Sequence, residues 1–258
     1  MGMPILGALS RRVRNEFAGR TAGTGLAAMW VSFALWLHYT IWVMNPAQQQ
    51  NLPAADAVQL KGSLDAEGFP EAASWEKAPA VQFDWDWRGV NADSGRETEV
   101  RLLWSRDTLF LRFHCKYREL FVFSDARADG WRDQLWDRDV AEAFLQPDSG
   151  DPLAYKELEV SPNGFWIDLR ITQGQKEEMH SGLRRRVMQD TNKKTWTAEL
   201  AVPMRSLTLA FDSQKNWRAN FYRVEGAKEP RFYSAWSPTM SEQPNFHVPT
   251  AFGNLRFR

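Results

Sequence analysis

From Ala57 onward, apolar side chains recur at every second position rather than every third or fourth, the spacing of half-buried strands. Thr98–Trp104 and Thr108–His114 alternate clearly and are separated by Ser105-Arg106-Asp107, which predicts a hairpin. The same pattern predicts strands at Val140–Gln146, Tyr155–Ser161, Phe165–Ile171, Leu183–Gln189, Thr195–Val202, Trp217–Glu225, Arg231–Ala235 and Gly253–Arg258. Ser161-Pro162-Asn163-Gly164 is a turn between two of them. Leu64–Trp75 and Met204–Leu207 are the places where short helical turns fit. Short strands punctuated by Gly, Pro and Asn predict an all-β antiparallel β-sandwich.

The N-terminal quarter has a different pattern. Leu26–Met44 is a 19-residue apolar run whose titratable side chains are His38 and Tyr39, close to the ~20 residues a membrane-crossing helix needs. Arg11, Arg12, Arg14 and Arg20 precede it and no Lys or Arg follows before Lys61, which places the N-terminus in the cytoplasm and the rest outside. The expected organisation is a basic cytoplasmic segment (1–25), a transmembrane signal anchor or signal peptide (26–44), a polar linker (45–56) and a β-domain (57–258). If the helix is cleaved, the domain is secreted; if not, it is membrane-anchored and extracytoplasmic.

Composition narrows the function. The 32 basic and 32 acidic residues cancel, so nothing favours a nucleic-acid partner, and Arg184-Arg185-Arg186 reads as a solvated edge. The lone Cys115 excludes an intrachain disulfide or a cysteine zinc cluster and reads as a small buried core residue. Thirteen tryptophans exceed what a β core needs, so some are expected at a binding face.

The candidate chemistry centres on Trp136-Asp137-Arg138-Asp139-Val140-Ala141-Glu142, an aromatic leading through an acidic loop into a strand that carries a carboxylate. A flat ring covers the C–H face of a sugar, and a carboxylate accepts its hydroxyl protons. Glu142 shares a face with Val140 and Phe144 and needs a partner there, either an Arg on a neighbouring strand or a ligand. Glu157 and Glu159 share a face of the next strand, roughly 6.5–7 Å apart by strand rise, near the spacing of glycosidase carboxylates. A solvated face is the competing reading of that pair. No nucleophile elbow, phosphate loop or dinucleotide fingerprint is present. Asp84, Asp86, Asp125, Asp129, Asp133, Asp137 and Asp139 offer oxygen ligands in loops but lack the EF-hand pattern. His114, His180, His247, Met179 and Met240 are the side chains available to ligate a haem, were they to face one pocket.

Five motifs then occur in order: Trp136-x-x-Asp139 before the Glu142 strand, Tyr155-x-Glu157-x-Glu159-Val160-Ser161-Pro162, Asn220-Phe221-Tyr222-Arg223, Trp236-Ser237-Pro238-Thr239, and Phe246-His247 through Phe252-Gly253-x-Leu255. In this order they resemble the family 9 carbohydrate-binding modules, and more narrowly the bacterial family 9-like proteins, over about residues 57–258. The resemblance implies a β-sandwich related to DOMON domains that binds carbohydrate without acting on it. It also implies xylan- or cellulose-like chain ends as ligand, a glycoside hydrolase acting alongside, and a role in glycan breakdown. By the same resemblance Trp136 and Glu142 match a clamp ring and the Glu six residues after it. Phe252 stands where a second Trp is usual. Asn220, Arg223 and Trp236 match motifs of the group. Such modules also hold structural calcium, whose ligands the resemblance does not place. A DOMON-like haem module and a weak glycoside hydrolase are the alternatives.

Overall fold

Strands form where the alternation is clearest. The computed structural model describes residues 52–147 and 150–258. The 98–114 hairpin is present as β3 (Thr98–Trp104) and β4 (Thr108–Lys116), closed by Ser105 N–H donating to Thr108 O at 2.8 Å. The remaining expected strands appear within a residue or two of their predicted bounds. They are β5 (Val140–Gln146), β6 (Ala154–Val160), β7 (Trp166–Thr172), β9 (Arg184–Asp190), β10 (Thr195–Pro203), β11 (Trp217–Glu225), β12 (Phe232–Ala235) and β13 (Gly253–Phe257). Helix α1 (Ala72–Lys77) starts later than the expected turn, and α2 (Met204–Leu207) falls where expected.

Three strands lie outside the sequence reading. Strand β1 (Ala54–Gln59) begins inside the stretch read as linker; it pairs in parallel with both β13 and β3, so the domain starts by Ala54 rather than at residue 57. Strand β2 (Ala80–Phe83) pairs β3, and β8 (Gln175–Glu178) pairs β7. The apolar run 26–44 lies outside the described residues, among which no helix is long and apolar enough to cross a membrane.

The strands make one continuous sheet, in the order β8-β7-β6-β5-β11-β13-β1-β3-β4-β10-β9, rather than two separate ones. Four strand spacings separate β11 from β4 along it, about 19 Å if flat. Yet Phe113 of β4 and Phe221 of β11 lie 6.4 Å apart, ring to ring, and the Arg223 guanidinium sits 5.1 Å from the Trp196 ring of β10. The sheet therefore curls until its halves pack face to face over a shared core. Cys115 is in that core, as expected. Arg184–Arg186 do lie on an edge strand, β9, and Arg186 pairs with Glu199 and Asp65.

Candidate functional site

The outer face of β5, β6 and β11 carries the site. Opposed residues in antiparallel strands share a face, so the pairings Glu142 with Glu159 and with Tyr222 set three polar side chains in one row. The next row holds Phe144 and Glu157. Asn245, Phe246 and His247 cover one side: Phe246 stacks on Tyr222 at 4.2 Å, and Tyr222 Oη donates to Phe246 O. Arg231 and Tyr233 border a second side, and Trp136 a third. Together they enclose a cleft of about 490 Å³.

Trp136 lies in a single 3₁₀ turn, Leu135–Asp137, entered through Gln134 at φ 55° and anchored by the fully buried Leu135. Arg231 Nη1 donates to the Trp136 carbonyl at 3.0 Å, and buried Asp139 accepts from the Phe121 and Gly226 amides. The turn is thus fixed from both ends, leaving the indole half-buried on the cleft wall. Lys176 Nζ, from β8, stands 3.9 Å from the ring centroid, a cation–π contact between two residues that line the cleft.

Glu142 is 2% exposed and Glu157 and Glu159 are 1% exposed. The solvated face anticipated for the β6 pair is therefore incorrect: loop 244–247 and β8 shield it. Among the described residues Glu142 has no arginine ion pair, and its Oε1 has no hydrogen bond. Lys176 Nζ is 3.8 Å from Glu157 Oε1. Burial, then the Glu157 charge, raises the Glu142 pKa well above the ordinary carboxylate value, against Lys176 and Arg231. Glu159 is raised well above it too, by burial and then by Glu142 and Glu157. A hydrogen bond between Glu159 and Glu157 exists only when a proton lies between them; as two carboxylates they have none. One oxygen from each of the three side chains lies within 4.8 Å of the others.

The other expected site residues lie elsewhere. Asn220 is buried; its Oδ1 accepts from the Phe221 and Ser237 amides and its Nδ2 donates to Ser237 O at 2.8 Å, splicing β11 to the segment after β12. Arg223 points into the core, where it binds Val140 O and pairs with Glu225, not Glu142, because odd positions of β11 face inward. Trp236 packs on Phe221 and against Gly253, where a Cβ would sit 2.6 Å from both the indole and Pro53 O. Phe252 is fully buried against Phe144 and Tyr155. The Trp236 and Phe252-Gly253 motifs are packing motifs here, and Phe252 does not face Trp136 across the cleft.

The cleft residues that sequence reading passed over are Lys176, Arg231 and Tyr233, and Phe246 entered it only as part of a motif. Lys176 sits in the polar run Gln175-Lys176-Glu177-Glu178, which has no apolar alternation to mark a strand. His247 does line the cleft, alone among the proposed haem ligands. Its outer edge is exposed, while its inner edge meets Tyr155 Oη at 2.7 Å and packs 5.3 Å from Phe144. That desolvation lowers its pKa, against the pull of Glu157. His114 instead bonds Thr197 Oγ1, His180 stands beside Glu178, and Met240 is exposed. Asp86, Asp129 and Asp139 spend their carboxylates on backbone amides, so the calcium donor set that fits best among the described residues is the Glu142, Glu157, Glu159 trio.

Comparison with known proteins agrees with this architecture. The family model described as Carbohydrate-binding family 9 matches residues 76–257. The chain belongs to carbohydrate-binding family 9. An extracellular protein of Arthroderma benhamiae is 25% identical over 178 residues, covering 62% of this chain and 78% of that one. A candidate carbohydrate-binding protein from Bacteroides uniformis superposes with a TM-score of 0.61 at 18% identity, covering 80% of this chain and 99% of that one. A family 9 module from Caldicellulosiruptor kristjanssonii, solved with cellotriose, gives 0.55 at 11% identity, covering 80% and 94%. The glucose complex gives 0.53 at 10%, covering 80% and 96%. At these identities the superpositions establish the family 9 fold.

Proposed function

We propose that this domain binds carbohydrate without acting on it, at the cleft walled by Trp136. The observation that carries this reading is a half-exposed indole beside buried carboxyl groups, in a family 9 fold. The indole supplies the apolar face that sugar C–H groups stack on. Glu142 and Glu157 line the floor and meet the sugar hydroxyls, accepting when ionised and donating when protonated. Tyr233 and Phe246, not Phe252, supply the further rings of the cleft wall. Lys176 must leave the indole for a ring to stack there. The ligand class is a glucose- or xylose-based chain end of the cellulose or xylan kind, a reading supported by the cellotriose and glucose held by the C. kristjanssonii module. Titration calorimetry with cello- and xylo-oligosaccharides is expected to give a dissociation constant on the order of micromolar to millimolar. Absence of saturable heat from both series contradicts the reading.

The site of action is proposed to be outside the cytoplasm, with residues 26–44 as tether or cleaved leader and a glycoside hydrolase acting nearby. The extracellular relative supports the compartment. Expressed in bacteria, the full-length chain is expected to sediment with membranes and resist alkaline extraction, unless cleavage releases the domain. A full-length chain found free in the cytosol rules out both.

A further inference from the structure

We propose that the cleft takes an amino sugar, a glucose-type chain with an ammonium group at C2, and that Lys176 is an internal stand-in for that ammonium. The inference rests on the carbohydrate reading and narrows its ligand class. The first observation is the position of Lys176 Nζ, 3.9 Å from the Trp136 ring centroid and 3.8 Å from Glu157 Oε1. An aromatic ring beside a carboxylate is the surface that recognises ammonium groups. Glu142 adds a further acceptor on the same cleft floor: it is 2% exposed and its Oε1 has no hydrogen-bond partner. A buried acceptor without a partner is satisfied by a donor from outside the chain, and an ammonium brings three.

The second observation is that Lys176 is free to leave. It stands on β8, a four-residue edge strand paired to β7, and its side chain is 35% exposed. Its ammonium sits on a flexible four-carbon stem, so withdrawal into solvent moves no backbone.

The third observation is charge. Glu142, Glu157 and Glu159 form the floor, with Asp137 and Glu229 at the rim. The cations are Lys176, Arg231 and Arg138, while desolvation favours the neutral form of His247. A proton shared by Glu157 and Glu159 still leaves four carboxylates against three cations. Arg231 donates to the Gly226 and Trp136 carbonyls and Arg138 lies over Phe121 and Phe123, so among the described residues Lys176 alone ion-pairs with the floor. Lys176 must withdraw for a pyranose to stack on Trp136. A neutral sugar then leaves buried Glu157 without its cation, which is costly. An equatorial ammonium on the stacked ring restores the lost charge at the same place. The rings of Trp136, Tyr233 and Phe246 around that position suit a pyranose better than a bare amine.

The test is calorimetry on the full-length protein in detergent with three β-1,4-linked trimers that differ at C2. These are cellotriose, the glucosamine trimer and its N-acetylated form, at a pH where the free amine is protonated. The glucosamine trimer is expected to bind about tenfold tighter than either neutral trimer. Glu157→Gln, checked for fold by circular dichroism, is expected to bring the ratio of glucosamine-trimer to cellotriose affinity close to one. Lys176→Ala is expected to tighten the glucosamine trimer severalfold and to keep its lead over cellotriose, so the inference remains testable if the glutamine variant misfolds. Nα-acetyl-lysine amide, an ammonium without a sugar, is expected to bind at least about tenfold more weakly than the glucosamine trimer. Cellotriose binding as tightly as the glucosamine trimer overturns the inference and leaves the carbohydrate reading standing, whereas no binding by any trimer overturns both. A lead that survives in folded Glu157→Gln is general charge attraction and overturns the inference. Lysine amide binding as tightly as the trimer, or a glucosamine trimer that gains nothing from Lys176→Ala, overturns it equally.

Discussion

Side-chain direction, more than residue type, separates the cleft-lining residues of this domain from its structural ones. Trp136 and Glu142 were legible as a pair because their spacing carries an aromatic from a turn into a strand, and both reach the cleft. Asn220 and Arg223 looked equally polar in sequence, yet both are fully buried, one splicing backbone and the other pairing with Glu225. Arg223 is turned into the core between the halves of the curled sheet, while Asn220, on the opposite face beside Phe144, is covered by the segment after β12, and no local pattern records either. Asn220→Ala strands two amides and is expected to cost about 1–3 kcal/mol of stability. Arg223→Ala leaves Glu225 facing a broken network and is expected to cost about 3–5 kcal/mol. Denaturant melts check both; normal stability with lost sugar binding would instead return these residues to the site. His247 offers a pH readout. Its neutral form is favoured by packing, so its contribution to stability is complete above the ordinary imidazole value near 6.5 and is lost as pH falls through its depressed folded value. An NMR titration midpoint for His247 below 6.5 is expected.

At the scale of elements, strands announced themselves where alternation was long, as in β3, β4, β5 and β11, whose predicted bounds match closely. Strands that are short or polar did not. Strand β1 reads as linker because Pro53-Ala54-Ala55-Asp56 lacks bulky apolar residues; its parallel partners β13 and β3, distant in sequence, make it a strand. Strand β8 is polar throughout, yet it delivers Lys176 to both Trp136 and Glu157. The hairpin of β7 and β8 thus places a cation over the indole proposed to stack on sugar. Lys176→Ala is expected to strengthen oligosaccharide binding severalfold by baring the indole. Calorimetry of the variant decides this, with weaker binding showing that the ammonium itself holds the sugar.

For the whole molecule, the all-β class was legible from periodicity, but the curled single sheet was not, since pairing between distant strands sets it. Trp236 packs on Phe221 and Phe252 on Phe144 and Tyr155, leaving the part of the outer face of β5, β6 and β11 around Glu142 to form the cleft with Trp136 on its wall. Family 9 membership motivates the proposal that this face is the binding face. The claim that Trp136 is the stacking ring is tested most directly by titrating the parent chain and Trp136→Ala in parallel with cellotriose and xylotriose. The account predicts saturable binding by the parent and at least about tenfold weaker binding by the variant, the weight of one aromatic stacking contact. Binding of undiminished affinity in a folded Trp136→Ala protein would contradict it.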